Sequence, residues 1–216
     1  RLGFLFMNPC VYQVGSVMQS YKKPVKIDIL TWKRSIQLDP SWENATTCVI
    51  PDKWSDSLTF INQWVKQSQS DFILFWNPSQ PLPNRATVES LVEQNLDIAH
   101  CGLMQGMGEQ LKDLYLLGTS WDKLNAPSET SSTSWRVSLE RCLVRRQLFL
   151  DIGGLDTVFS NVSGASLEFG YRCLKLGALV EHRPELAQGV MSGNPQELSI
   201  YDLYCFILRH YGENWA

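Results

Sequence analysis

Apolar residues recur along this chain in two rhythms: short unbroken runs, and helical stripes set between turn residues. The densest run, Phe72-Ile73-Leu74-Phe75-Trp76, stops at Asn77-Pro78. A run this short with no polar interruption suits a strand buried on both faces, as in a parallel sheet. Residues 2–7, 25–30 and 139–144 read as three further strands, with 97–102 as a candidate for another. Helical spacing lies between them. Residues 57–67 place Leu58, Ile61, Trp64 and Val65 on one face, and 85–94 repeat the pattern with Val88, Leu91 and Val92. Residues 146–152 form a short helix stopped by Gly153-Gly154, residues 167–176 a longer one closed by Gly177, and residues 200–210 the last. Strands alternating with helices predict an α/β fold with a mostly parallel central sheet flanked by helices.

Length and charge narrow the class. The 216 residues suit one domain, with Lys+Arg 19 against Asp+Glu 22 and a formal net charge of −3. A nucleic-acid partner would call for a basic excess that the chain lacks. No apolar run approaches the ~20 residues of a membrane helix. The start, Arg1-Leu2-Gly3-Phe4, has no methionine and too short an apolar run for a signal peptide, so the chain reads either as trimmed or as a piece of a longer protein, whose other domains would then be candidate partners. The six cysteines are widely spaced, which disfavours zinc ribbons and redox dithiols. Most sit in apolar runs and read as reduced core residues of an intracellular protein, although an even count leaves disulfides open.

Several catalytic signatures are missing: a P-loop, G-x-G-x-x-G, G-x-S-x-G and H-E-x-x-H. His100, His182 and His210 share no ligand-pair spacing and read as structural or surface residues. Three segments in order carry more information. The strand ending at Trp76 runs into Asn77-Pro78-Ser79. Later comes Arg145-Arg146-Gln147-Leu148-Phe149-Leu150-Asp151-Ile152-Gly153-Gly154-Leu155-Asp156, and then Gly164-Ala165-Ser166-Leu167-Glu168 through Arg172 to Gly177.

This series resembles the family 2 glycosyltransferases of the GT-A fold over residues 2–185. In that family a strand enters a D-x-D turn, followed by R-R-x-L-F-x-x-x-G-G-F-D and then G-E-D-x-D-L-x-x-R-x-x-x-x-G. The resemblance implies a GT-A-like three-layer domain over residues 1–190, with residues 191–216 as a helical extension packed on it. It implies transfer of a sugar from a nucleotide-diphospho-sugar to a saccharide or other acceptor, in the cytoplasm or at the inner face of the membrane. It also places donor contacts at Asn8, Pro9, Thr31, Trp32, Asn77 and Ser79, and leaves Glu168 and Arg172 as the candidate catalytic pair.

The departures fall on charge. Where the family's D-x-D holds Mg²⁺ or Mn²⁺, this chain has Asn77 and Ser79, which are neutral and poor ligands for those ions. The base-binding aspartate falls on Thr31, and the E-D pair on Ala165-Ser166. No metal or other cofactor is therefore expected. Transfer needs a carboxylate to take the acceptor proton and a cation to meet charge on the leaving diphosphate. Glu168 is the surviving carboxylate, expected at a helix start, and Arg145, Arg146 and Arg172 are candidate cations. Two functions follow: a metal-independent glycosyltransferase, or a catalytically inactive GT-A domain that binds a sugar, nucleotide or partner.

Overall fold

The structure is a computed structural model that describes residues 24–32, 34–51, 54–101, 105–106, 115–116, 119–120, 131–133, 135–186 and 196–212. Its strands are β1 (Ile27–Trp32), β2 (Thr47–Ile50), β3 (Phe72–Trp76), β4 (Ile98–His100), β5 (Gln105–Gly106), β6 (Tyr115–Leu116), β7 (Thr119–Ser120), β8 (Ser132–Thr133), β9 (Arg141–Arg145), β10 (Val180–His182) and β11 (Gln196–Glu197). Its α-helices are α1 (Trp54–Gln67), α2 (Arg85–Glu93), α3 (Arg146–Asp151), α4 (Val162–Lys175) and α5 (Ile200–Tyr211). The expected strand over 2–7, with Asn8 and Pro9 after it, lies outside the described residues.

Seven strands form one sheet in the order β2-β1-β3-β9-β4-β10-β8. β9 pairs antiparallel with both β3 and β4, and β8 antiparallel with β10, while the other pairings are parallel. Most strands therefore run one way, as expected, with β9 reversed inside the sheet. That reversal decides which residues reach which edge. The last residues of β1, β3 and β4 share the carboxyl edge with the first residue of β9.

β3 shows why the sheet sits at the centre. Ile73 and Phe75 enter one core, whereas Phe72, Leu74 and Trp76 enter the other. Alternate residues face opposite sides, so an all-apolar strand needs cover on both. The first core is closed by Leu58, Ile61 and Val65 of α1, Phe149 of α3, Phe169 of α4 and Phe206 of α5. The second is closed by Val88 and Leu91 of α2, with Trp42 and Leu186 from 3-10 turns. Each such side chain, fully buried, contributes about 1.5–3 kcal/mol. The result is helices, sheet, helices: three layers.

α4 departs from the sequence expectation. It begins at Val162 rather than at 167, capped by Asn161, whose Oδ1 accepts from Gly164 N at 2.9 Å. Its first turns, Ser163-Gly164-Ala165-Ser166, lack the apolar stripe of a helix. Small residues are required there and further along: a Cβ on Gly170 would lie 2.2 Å from the Trp135 carbonyl. Close approach by neighbouring chain, rather than intrinsic propensity, sets this helix's composition.

Candidate functional site

Open α/β sheets take ligands outside the carboxyl ends of their strands, so the site is built from that edge. At the end of β3 the chain folds into a turn closed by its own side chain: Asn77 Oδ1 accepts from Ser79 N at 3.0 Å, and Gln80 N donates to Asn77 O at 3.1 Å. Trp76 pins the turn from below, its Nε1–H donating to Gln80 O at 3.2 Å. Just ahead of the adjoining strand β9, Glu140 O accepts from Asn77 N at 2.7 Å. β1 ends one strand away, with Thr31 the register partner of Trp76.

Thr31, Trp32, Asn77 and Ser79 thus share one edge. Their side chains are used differently. Thr31 is buried and donates its hydroxyl to Arg34 O at 2.7 Å. Trp32 packs in the core and donates Nε1–H to Leu139 O at 3.3 Å, which ties the segment entering β9 to the end of β1. Ser79 is exposed and Asn77 half-buried.

Neither Asn77 nor Ser79 fits a divalent cation. Both lack charge, and the Asn77 carbonyl oxygen already accepts the Ser79 amide. Among the described residues no group of three His, Cys, Asp or Glu side chains is arranged to hold a metal.

Glu168 and Arg172 lie on α4. Glu168 is the seventh residue of that helix, not its start, so the helix-dipole reasoning does not apply to it. It is 2% exposed and accepts from Arg172 Nε at 2.7 and 2.9 Å. Arg172 spends its remaining nitrogens on carbonyls, Nη1 on Ile152 at 2.6 Å and Nη2 on Gly154 at 2.7 Å. His210 Nε2 lies 3.3 Å from Glu168 Oε1, and burial lowers the imidazole's affinity for a proton. The pair clamps the turn after α3 onto α4.

The candidate cations Arg145 and Arg146 fall at the other edge. β9 is antiparallel, so its last residues lie beside the amino ends of β3 and β4. Arg145 pairs with Asp97 at 2.9 Å, and Arg146 donates to Val65 O and Lys66 O at the end of α1. Both are tied into the fold.

Sequence reasoning missed three groups at the carboxyl side. Glu140 stands at the entry to β9; burial pushes its carboxyl up, while a hydrogen bond from Asn77 and the Arg141 charge pull it down. Arg141, 8% exposed, opens β9 as the register partner of Trp76. His100 and His182 are register partners at the ends of β4 and β10, with ring centroids 5.9 Å apart. Linear spacing hid that histidine pair, and the reversal of β9 hid the Glu140-Arg141 placement. A separate cavity of about 640 Å³ lies at the amino side, walled by Lys26, Asp28, Trp64, Ser68 and Arg85.

No family model matches the sequence, and no curated protein matches it either. Solved structures do match in shape. The crystal structure of GalNAc-T7 with UDP, GalNAc and Mn²⁺ aligns with 86% of this chain at 8% identity and a TM-score of 0.52. The chain spans about half of that protein, 48% of its length. A197 from STIV aligns with 74% of this chain and 82% of its own at 9% identity, TM-score 0.45. A mycobacterial protein aligns with 86% of this chain and 74% of its own at 10% identity, TM-score 0.49. The fold is GT-A-like, and no helix among the described residues is long and apolar enough to cross a membrane.

Proposed function

We propose that this chain is a glycosyltransferase-type domain that takes a nucleotide-diphospho-sugar at the carboxyl ends of β1 and β3 with no metal at the Asn77-Ser79 turn. The carrying observation is that turn: it stands at the end of the central strand, closed by its own carboxamide. A donor there would meet Asn77 and Ser79 and the backbone end of β1 at Trp32, whose ring is packed in the core, and Asn8 and Pro9 belong to the same proposal. That GalNAc-T7, which shares the fold, was crystallised with UDP supports a uridine nucleotide as the first donor to try. Residues 191–216 belong to the proposal as an extension of the domain over 1–190.

A second reading, binding without transfer, is favoured by Glu168. A base must reach the acceptor proton, and this carboxylate is buried and held by Arg172 at 2.7 Å. The domain then serves as a nucleotide- or sugar-binding module, with a saccharide or other acceptor relevant only to the transferase reading.

Calorimetric titration with UDP-, GDP- and dTDP-sugars, with and without Mn²⁺, tests the proposal. Binding of one donor with the same affinity in both buffers supports it. Binding that requires Mn²⁺, or no binding to any donor, overturns it. Donor turnover in the presence of saccharide acceptors separates the two readings.

A further inference from the structure

The reversed course of β9 sends Arg145 and Arg146 to the amino edge and leaves Arg141, the first residue of β9, at the carboxyl edge. We propose that Arg141 is the diphosphate-binding cation of the donor crevice, meeting the charge for which Asn77 and Ser79 supply no metal. The inference rests on the nucleotide-sugar reading above and names the residue that would carry it.

Placement comes first. Arg141 is the register partner of Trp76, the residue before the Asn77 turn, and its carbonyl accepts from Cys101 N at 3.1 Å just past the end of β4. It therefore sits between the ends of two strands that run toward the crevice. Only 8% of the residue is exposed.

A guanidinium this buried calls for a counter-charge. Four other arginines have partners of their own. Arg85 pairs with Glu89, Arg145 with Asp97, Arg172 with Glu168 and Arg146 with helix-end carbonyls. Arg141 forms no ion pair with a carboxylate among the described residues. Its neighbours are the Cys101 thiol, which hydrogen-bonds Arg141 but is pushed up to about 12 by burial, and Glu140, whose carboxyl burial pushes up while the Asn77 hydrogen bond and the Arg141 charge pull it down. A planar guanidinium offers paired N–H donors that match two phosphate oxygens, and in a half-dry edge such contacts are stronger than in water.

The test compares UDP, GDP and dTDP with their parent nucleosides, by titration without divalent ions, on the wild-type chain and on Arg141→Gln and Arg141→Lys. The wild type is expected to bind one diphosphate at least about tenfold more tightly than its nucleoside. Arg141→Gln is expected to lose that margin while nucleoside affinity holds, and Arg141→Lys, which keeps charge without the fork, to lose part of it. If Arg141→Gln does not fold, Arg141→Lys alone decides, since it keeps the buried charge. Folded variants that bind the diphosphate as tightly as wild type overturn the role of Arg141 and leave the nucleotide-sugar reading standing. A wild-type chain that binds neither diphosphate nor nucleotide-sugar overturns that reading, and this inference with it.

Discussion

Gly164 and Asp202 occupy the same space. A Cβ built on Gly164, in the first turn of α4, would lie 2.4 Å from Asp202 Oδ2 on α5. Asp202 is fully buried and accepts from Ser160 N at 2.6 Å and Ser160 Oγ at 3.0 Å, just ahead of the helix. The carboxylate is thus held against the positive end of α4, and the glycine makes room for it. The last helix docks through this contact together with Leu203, Phe206 and Ile207 in the core.

Gly164→Ala should therefore destabilise the domain by about 1–3 kcal/mol, the usual range for overpacking. Asp202→Ala should destabilise it too, by stranding the Ser160 donors. The double variant should cost less than the sum, because the alanine at 164 then has room. Urea denaturation of the four proteins checks this, and strict additivity would show that the two residues do not interact.

Arg172→Ala should cost about 3–5 kcal/mol, because it leaves the buried Glu168 carboxylate unpaired and frees the Ile152 and Gly154 carbonyls. Glu168→Gln should cost less, since an amide oxygen still accepts from Arg172. Chemical denaturation gives both values. Variants as stable as wild type would remove the structural role and restore the pair as candidates for chemistry.

His100 makes stability depend on pH. Its ring is buried, neither nitrogen has a hydrogen-bond partner among the described residues, and its pKa is held down to about 3, by burial first and by His182 second. The unfolded chain takes up this proton near pH 6.5 and the folded one does not, so the unfolded state binds more protons between about 6.5 and 3. Stability is fully present above that window and falls as pH drops through it, by up to about 1.4 kcal/mol per pH unit from this residue. Denaturation of wild type and His100→Phe across pH 4–7 should show a shallower acid slope in the variant; equal slopes would place the ring in contact with water.

Particular residues show how far the sequence carried. Phe72–Trp76 was legible because every position is apolar and the run is short and stopped by Asn77-Pro78, which suits a strand covered on both faces. β2 was not: its positions alternate between exposed and partly covered, with only Ile50 buried. β10 has three residues, too few for a period to show. At the site, the Asn77-Ser79 turn was found because it follows the clearest strand. Strand direction within the sheet has no local signal, so the arginines on β9 could not be sorted between edges. Glu168 was expected at a helix start because the first turn of α4 is shaped by Asp202, a partner distant in sequence.

The donor crevice is the central claim, and hydrogen exchange of the backbone amides locates it most directly. Exchange is measured on the wild-type chain with and without saturating UDP, or whichever nucleotide the titrations select, in the absence of divalent ions. The account predicts slowed exchange at Trp32, at Asn77, Ser79 and Gln80, and at Glu140 and Arg141, the amides gathered at the carboxyl edge. Slowing confined to the amino side, around Lys26 and Ser68 beside the 640 Å³ cavity, would contradict it.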